Sequence, residues 1–524
     1  MSEIQKLTVE AYLRNGGNVR ATARELGRDP KTVREHLANA GIEKPIAAGE
    51  VKYSAPKRLP NKKGGRVFLL TCAQNNTKVH DAFWTSLLAL RDHRSAELHV
   101  AQLTYNHHAY EKVEDGALWY DPKIAKYACE NNIEIAPGLV WNGEVNILPT
   151  AVNPLSGFDT FNGSKSGIFP HTKIAMQSVA NAKHEPTKFN YTTGTATLRN
   201  YVAMKAGQKA SFHHAYGALI VEVSPKGEWF ARQINASEDG SFQDLDVFVS
   251  EGKVQTGQTV EACIWGDIHT AQIEPNIEKA VWDEGGILDQ LGPKYQVMHD
   301  LLDFRARNHH DVNNCHLEFQ KHLEGADDVA WEIRKTAEFL GRAWREGVET
   351  VVIPSNHDDA LTRWLREADY KDDPKNALFF LRTQTAVYEA LESGDEDFHV
   401  LKWALESRVC QESWSLEGAA LFEGKFLHVD DSYVVKGVEL GNHGHLGTNG
   451  SRGSPKQFAK TGMRSVTGHT HTCGIVDGCT TVGTFSILDP AYCKGPSSWS
   501  HTFCVMYPSG KRALVTIKSG KYRA

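Results

Sequence analysis

The chain has 524 residues, of which 41% are hydrophobic and 23% are charged, and its net charge of −6 argues against nonspecific coating of nucleic acid. This length exceeds what a single hydrophobic core supports, so we expect two or three domains. No run approaches the roughly 20 apolar residues of a membrane span, and the first residues lack a secretory signal, so we expect a cytoplasmic protein with no membrane role.

Residues 1–43 have the apolar spacing of three short helices. The second and third resemble a helix-turn-helix, because Ala23 is small where two helices cross, Gly27 lies at the turn, and Asp29-Pro30 begins the next helix. We therefore predict a DNA-binding domain, with a small helical bundle for protein contacts as the alternative. Its predicted groove-facing side chains are Lys31, Thr32, Arg34 and His36.

The next segments indicate a linker and then an α/β domain. Residues 44–65 contain three prolines and six lysines or arginines, a composition typical of a linker. From Arg66, two strand-like runs flank a helical segment near residues 80–92, which predicts a βαβ unit with a parallel sheet. We assign residues 66–255 to an α/β domain whose role the sequence does not indicate.

Two pairs of adjacent histidines lie in this middle region, His107-His108 and His213-His214. Neither pair has partner carboxylates at a fixed spacing. We interpret them as packing or surface residues rather than metal ligands.

Metal-binding side chains follow strand-like runs in the C-terminal half. The run VEACIW leads to Asp267 and His269, which would point to the same side of a strand and form a half-site for a divalent cation. A second run, KYQVM, leads to Asp300, which is placed to bridge two ions, with Asp303 one helical turn later. Later clusters that end an apolar run or adjoin glycines are Asn356-His357-Asp358, His443 with His445, and His469 with His471.

The order DxH, D, NHD, H and GHTH resembles the calcineurin-like metallophosphoesterases over roughly residues 260–520. The resemblance implies a mixed α/β (α+β) fold with a four-layer αββα sandwich over residues 256–524. It implies two metals, one bound by Asp267, His269 and His471, the other by Asn356, His443 and His469, with Asp300 as the bridge. Two positions depart from the family pattern without removing a ligand, since His299 and Ser355 stand where relatives usually carry glycine.

The resemblance also implies the chemistry. Two cations roughly 3.5–4 Å apart polarise a phosphoryl oxygen and activate a shared hydroxide for in-line attack on phosphorus. His357 would donate a hydrogen bond or proton to the leaving oxygen, with Asp358 holding its ring. Family habit favours Mn²⁺, and Fe, Zn²⁺ and Mg²⁺ are also compatible with these ligands.

A basic segment indicates where a substrate would bind. After His445 the chain carries Arg452, Lys456, Lys460 and Arg464 among small residues, a composition able to track a phosphate backbone. We predict substrate contacts by Arg452, Lys456 and Arg464. An ordinary solvated loop is the alternative interpretation.

A helix-turn-helix joined to a phosphodiesterase predicts DNA as the substrate, and therefore a deoxyribonuclease. The layout, including HGHLGTNGSRGS, resembles the phage-encoded branch of the superfamily, whose members include early DNA-degrading nucleases. That resemblance implies the host cytoplasm as the location and leaves a homo-oligomer open. The alternatives are a phosphatase or cyclic-nucleotide phosphodiesterase, and a DNA-binding regulator without catalytic activity.

Overall fold

The computed structural model describes residues 2–15, 19–42, 55–105, 119–183, 185–407, 423–490 and 493–524. His107 and His108 lie outside these ranges. The chain divides into two compact units, Met1–Ala55 and Pro56–Ala524. None of the helices in the described ranges is long and apolar enough to cross a membrane.

The first unit contains the three predicted helices, α1 (Glu3–Arg14), α2 (Val19–Glu25) and α3 (Pro30–Asn39). Gly27 has a φ of +60°, which lets the chain turn between α2 and α3. Asp29 caps α3 by accepting a 2.7 Å hydrogen bond from the Lys31 N–H. The core of the unit consists of Tyr12, Ala23, Val33 and Leu37. The helices and the turn predicted from the sequence are thus confirmed.

Within the described residues, the second unit combines helices with four sheets. Its helices are α4 (Asp81–His93), α5 (Lys205–Phe212), α6 (Pro275–Trp282), α7 (Ile287–Leu291), α8 (Cys315–Glu324), α9 (Val329–Ala343), α10 (Asp359–Glu367), α11 (Ala377–Ser393), α12 (Val400–Glu406) and α13 (Pro455–Phe458). Short 3₁₀ turns cover Pro122–Tyr127, Arg305–Arg307, Tyr370–Asp372 and Thr448–Gly450.

The sheets differ in size. From one edge to the other, an eleven-stranded sheet contains β1 (Lys57–Arg58), β4 (Asn132–Ala136), β5 (Leu139–Asn142), β6 (Ser166–Phe169), β8 (Lys188–Thr192), β7 (Met176–Val179), β21 (Gly474–Val476), β22 (Cys479–Thr481), β20 (Arg464–Thr467), β19 (Val438–Glu439) and β18 (Val434–Val435). A six-stranded sheet contains β17 (Gly424–Phe426), β16 (Glu349–Val352), β15 (Tyr295–Met298), β14 (Ala262–Ile264), β23 (Thr502–Met506) and β24 (Arg512–Thr516). Two smaller sheets contain β10 (Trp229–Asn235), β9 (Gly217–Val223), β2 (Arg66–Gln74) and β3 (Glu97–Leu103), and then β11 (Phe242–Asp244), β12 (Val247–Ser250) and β13 (Lys253–Gln255).

The predicted βαβ unit is confirmed, because β2 and β3 pair in parallel across α4. The linker prediction is wrong at its C-terminal end. Lys57 pairs with Ile133 in parallel strands, and Leu59 packs against the core of the second unit. One apolar side chain and a two-residue strand are enough to fix this proline-rich stretch to the sheet.

The segments 66–255 and 256–524, predicted as separate domains, lie in one compact unit. Strand β7 of the first segment pairs with β21 of the second, with Met176 opposite Ile475. The eleven-stranded sheet therefore takes strands from both segments. Strand pairing between distant segments has no local sequence pattern, which is why the sequence suggested a boundary near residue 255.

The six-stranded sheet lies between the eleven-stranded sheet and a layer of helices. Ile264 and Val297 point into a core shared with Val466 of the larger sheet. The neighbouring residue Cys263 points to the opposite face, where it shares a core with Ile333 of α9. Both faces of these strands are buried, which explains their nearly continuous apolar sequences. The fold is mixed α/β as predicted, and the four-layer sandwich stays a prediction.

Candidate metal centre

The carboxyl ends of β14, β15 and β16 lie at one edge of the six-stranded sheet, because the three strands are parallel neighbours. Main-chain hydrogen bonds join the loops that follow them. The Ile268 N–H donates to the His299 carbonyl at 3.0 Å, and the His269 N–H donates to the Asp300 carbonyl at 2.7 Å. The loops carrying the predicted ligands are thereby held side by side.

Four of the predicted ligands form a buried group whose ligand atoms lie within 4.8 Å of one another: Asp267, His269, Asp300 and His471. His471 Nε2 is 3.2 Å from an Asp267 carboxylate oxygen and 3.1 Å from His269 Nε2. His269 Nε2 is 3.6 Å from Asp300 Oδ2. These four residues match the first predicted metal site together with the predicted bridge.

Two of the three remaining predicted ligands, His443 and His469, lie close to each other beside Asp300. His443 Nε2 lies 3.2 Å from Asp300 Oδ2, and the His443 ring centroid lies 5.4 Å from that of His469. Asn356 follows β16 with an exposed side chain. The Oδ2 atom of Asp300 therefore lies within 3.6 Å of both His269 and His443, as a bridging ligand requires.

The donor set fits a divalent cation. Several polar atoms at the centre are buried without a hydrogen-bond partner, including both carboxylate oxygens of Asp267 and the Oδ1 atom of Asp300. Buried polar atoms ordinarily have partners, so these oxygens have the free lone pairs that a metal ligand needs. A Cβ atom at Gly468 would overlap Asp267 Oδ1, so glycine leaves that carboxylate room. A buried Asp/His group able to hold a metal ion is therefore present.

Ionisation of these side chains favours cation binding. Burial opposes the charge on Asp300, but the imidazoles of His443 and His357 outweigh it and hold its pKa well below the usual range. Burial also opposes protonation of His269, yet the carboxylates of Asp303 and Asp300 raise its pKa to about 9. Carboxylates that stay ionised at this depth attract cations, and a metal would take the place of the His269 proton.

The ligands reach the centre through turns in the left-handed backbone conformation. The φ angles are 49° at His269, 46° at Asp300, 72° at His469 and 54° at His471. Strand β14 ends at Ile264, before Asp267, so the predicted reason for the common direction of Asp267 and His269 was wrong. A turn brings them together rather than alternation along a strand.

His357 belongs to a second group of possible metal ligands with His269 and Asp303. Its Nδ1 atom lies 3.0 Å from the main-chain oxygen of Asp303, and its ring centroid lies 4.6 Å from that of His269. The Asp303 carboxylate also approaches His269 Nδ1 at 3.4 Å. The sequence pointed to Asp303 only through its spacing from Asp300, and its part in orienting two histidines was missed.

The prediction that Asp358 holds the His357 ring is wrong. Its carboxylate accepts hydrogen bonds from the Leu302 N–H at 2.9 Å and from the Ser355 hydroxyl at 2.8 Å. Burial and the nearby Asp300 charge raise the pKa of Asp358 to about 6. Asp358 thus ties the loop after β16 to the loop after β15, and Ser355, one of the departures from the family pattern, supplies part of that connection.

The other departure, His299, is fully buried beside His443. The Nδ1 atoms of the two rings are 3.3 Å apart, so one ring donates to the other and leaves His443 Nε2 facing Asp300. Burial and the neighbouring His443 lower the pKa of His299 to about 4. His299 therefore acts as a neutral partner that orients a predicted ligand.

The three predicted substrate-contact residues lie on different elements of the fold. Arg452 is exposed and pairs with Leu446, next to His445, so it lies beside the ligand loop. Lys456 is exposed on α13. Arg464 begins β20, and the opposite end of this strand leads to His469, so Arg464 lies at the end of β20 that is farther from the centre.

The predicted DNA-contacting residues share α3. Lys31 and Arg34 are exposed, while Thr32 is half-buried. His36 Nδ1 lies 3.2 Å from the Thr8 hydroxyl of α1, so part of its hydrogen-bonding capacity serves helix packing.

An aromatic residue that the sequence did not single out lies beside the buried group. The Trp499 ring centroid is 4.2 Å from that of His471, in an edge-to-face arrangement. No local motif surrounds Trp499, and only the fold brings it to the centre.

Comparison with known proteins shows that the chain is related to a phage protein. No family model matches the chain, and no solved structure matches it. Protein A1 of Escherichia phage T5 is 39% identical over 508 residues, which cover 94% of this chain and 89% of that protein. The chain belongs to the Protein A1 family. Membership in the Protein A1 family supports the prediction of a phage-encoded protein.

Proposed function

We propose that this protein is a metal-dependent phosphodiesterase that cleaves DNA. The observation that carries the proposal is the buried group of Asp267, His269, Asp300 and His471 at the carboxyl edge of parallel strands. The order of these residues along the chain resembles the dimetal phosphoesterases. The relationship to a phage protein is compatible with an enzyme that acts on DNA.

Each residue has a defined task in this proposal. Asp267, His269 and His471 would hold one ion, His443, His469 and Asn356 would hold a second, and Asp300 would bridge them. Bound there, divalent ions, Mn²⁺ in first place, would polarise a phosphoryl oxygen and lower the pKa of a water molecule. Asp303 and His299 orient His269 and His443, which fixes the nitrogen that each ring presents to the centre.

His357 is the proposed proton donor to the leaving oxygen. Its Nδ1–H donates to the Asp303 carbonyl, so proton exchange with substrate would take place at Nε2. The ring is about a quarter exposed, at 27%, whereas the ligand His269 is 1% exposed, so substrate has access to His357.

Two features support DNA as the substrate. The exposed face of α3 presents Lys31 and Arg34 in a helix-turn-helix. Arg452 is exposed beside His445, where a phosphate backbone approaching the centre would pass.

The test is incubation of purified protein with circular and linear DNA, with Mn²⁺ or with a chelator. We expect Mn²⁺-dependent cleavage, and nicking or linearisation of circular DNA would identify endonuclease action. A small chromogenic diester in parallel separates a nuclease from a general phosphodiesterase. Uncut DNA with a hydrolysed diester would reject the DNA proposal.

Variants assign the activity to the centre. We expect Asp300→Asn and His357→Ala to reduce cleavage by about 10³-fold and 10²-fold or more, respectively. Asp283→Asn and His93→Ala are matched controls, because both residues are exposed at the C-terminal ends of helices that carry no predicted ligand, and they should leave cleavage unchanged. Full activity in both site variants would contradict the assignment and leave a DNA-binding regulator as the better explanation.

A further inference from the structure

A cavity of about 450 Å³ lies where the middle segment meets the C-terminal segment, apart from the metal centre. Its walls include Lys173, Phe212, Tyr216, Arg464, Lys511 and Arg512. Arg464 begins β20, and the opposite end of this four-residue strand leads toward His469. About 10 Å of strand therefore separates the cavity from the loop that carries the ligands.

Three cations at this cavity lack acidic partners. The acidic side chains in its walls are already paired, Glu238 with Arg199 through hydrogen bonds of 2.6 and 3.0 Å, and Asp477 with Lys173 at 2.5 Å. In the part of the chain that the structure describes, Arg464, Lys511 and Arg512 form no ion pair with a carboxylate. The walls contain the four cations Lys173, Arg464, Lys511 and Arg512 but only the two carboxylates Glu238 and Asp477, so positive charge is in excess.

The fold holds two of these cations in place. Lys511 Nζ donates to the Asn235 side-chain oxygen at 3.1 Å, and the Arg512 guanidinium donates to the carbonyls of Ser465 and Gly478 at 3.4 and 3.3 Å. Burial and the charge of Arg464 lower the pKa of both Lys511 and Arg512. A bound anion would relieve this repulsion, since it would supply the missing negative charge.

The cavity also offers an aromatic surface. Phe212, at the end of α5, is 84% exposed, the highest exposure among the large apolar side chains of the described residues. An exposed ring beside cations is the combination that binds a base and its phosphate. The cavity volume lies within the range of small-molecule sites, about 300–1,000 Å³, so a bare phosphate would leave most of it unfilled.

We propose that this cavity binds a free nucleoside monophosphate, with its phosphate at Arg464 and Lys511 and its base against Phe212. The site is distinct from the metal centre, and the proposal does not depend on nuclease activity. The sequence predicted Arg464 as a substrate contact at the metal centre, but the structure places Arg464 at this cavity instead. The nucleotide proposal therefore gives Arg464 a different function.

The test is calorimetric titration of the full-length protein with dAMP in the presence of a chelator, so that metal-bound phosphate does not contribute. Deoxyadenosine and inorganic phosphate are titrated in parallel. We expect dAMP to bind at least about 10-fold more tightly than either, because each lacks one of the two contacts. Absence of dAMP binding, or equal binding of deoxyadenosine, would overturn the proposal.

Two exposed residues provide the variants. Arg464→Gln should weaken dAMP binding about 10-fold through loss of a charged hydrogen bond, and Phe212→Ala about 5-fold through loss of stacking. Both side chains are exposed, so the fold should be kept, which thermal unfolding checks. Lys226→Gln, an exposed lysine outside the cavity, is the matched control and should bind dAMP as the original protein does. Unchanged binding in Arg464→Gln would contradict the site.

Discussion

Four predicted ligands, His269, Asp300, His469 and His471, hold the left-handed backbone conformation. For residues with a side chain this conformation costs roughly 1–2 kcal/mol each, and it persists only where the surrounding structure imposes it. At the metal centre the imposing contacts are the hydrogen bonds between neighbouring loops, such as His269 N–H to the Asp300 carbonyl. The left-handed conformation at these four residues lowers the stability of the fold, but it directs their side chains toward the same point.

His299 provides a direct test of ligand orientation. We expect His299→Ala to weaken Mn²⁺ binding by about 10- to 100-fold, because His443 loses the ring that fixes its orientation. Electron paramagnetic resonance of free Mn²⁺ measures the change. His399→Asn alters a histidine of α12's N-terminal cap, far along the chain from the centre, and should leave Mn²⁺ binding unchanged. Equal affinities in both variants would show that His299 is only a packing residue.

Gly468 tests the space around Asp267. Gly468→Ala would press a methyl group against the Asp267 carboxylate and should abolish Mn²⁺ binding measured by the same method. Gly341→Ala is the control, because the space around Gly341 in α9 is open. That second change should leave Mn²⁺ binding intact and raise the free energy of unfolding by about 1 kcal/mol. Intact Mn²⁺ binding in Gly468→Ala would show that the two loops have room to move apart.

Residue identity could be read from the sequence, but residue contacts could not. The order of Asp267, Asp300 and the later histidines predicted metal ligands, because metal ligands have restricted chemistry, and four of the predicted residues form a buried group that could hold an ion. Trp499 was not singled out, and the contact of Asp303 with His269 and His357 was not predicted, because no local sequence pattern indicates either. The Asp358 contact was mispredicted because a carboxylate next to a histidine in sequence need not face it.

At the scale of elements, local signals were sufficient wherever a helix or strand is specified by its own residues. The cap and turn of α3 follow from Asp29, Pro30 and Gly27, and β14, β15 and β16 follow from short apolar runs. The strand β1 was missed because two residues carry no periodicity. The partner of β7 was missed because β21 lies about 300 residues later and pairs with it only in the folded chain.

The cap of α3 can be tested alone. Asp29→Ala removes the acceptor for the Lys31 N–H and should destabilise α3 by about 1 kcal/mol. Hydrogen exchange of the α3 amides in the full-length protein should become about five-fold faster or more. Asp29→Asn keeps a hydrogen-bond acceptor at the cap, so the α3 amides of this variant should exchange at nearly the rate of the original protein. Slow exchange in both variants would show that packing by Val33 and Leu37 alone maintains the helix.

At the scale of the whole molecule, buried neutral histidines make the second unit sensitive to acid. His171 Nε2 donates to the Leu148 carbonyl at 3.2 Å, while its Nδ1 accepts from the Lys173 N–H at 3.0 Å. His214 Nε2 lies 2.9 Å from the Thr197 carbonyl and its Nδ1 lies 2.8 Å from the Tyr201 hydroxyl. Both rings are satisfied in the neutral form, which supports the interpretation of His214 as a packing residue.

This arrangement predicts how stability depends on pH. Burial lowers the pKa of His171 to about 4 and that of His214 to about 3, from an ordinary value of 6.5. At these two positions the unfolded chain therefore binds more protons than the folded one below pH 6.5, and the stability contributed by the two neutral rings falls as the pH drops from 6.5 toward 4. Denaturant unfolding measures the free energy of unfolding of the original protein and of His171→Asn. We expect the difference between the two values to decrease by about 1–2 kcal/mol between pH 7 and pH 5. An equal difference at both pH values would mean that protonation of His171 does not destabilise the folded protein.

The pairing of β14 with β23 bears on when the metal centre comes into being during synthesis. Ala262, just before the first ligand, pairs with Met506 near the end of the chain, and β24 then covers the outer edge of β23. A ribosome releases the N-terminal residues first, and domains fold as units once their strands are available. We therefore expect the group of predicted metal ligands to stay unformed in a nascent chain until β23 and β24 have left the ribosome.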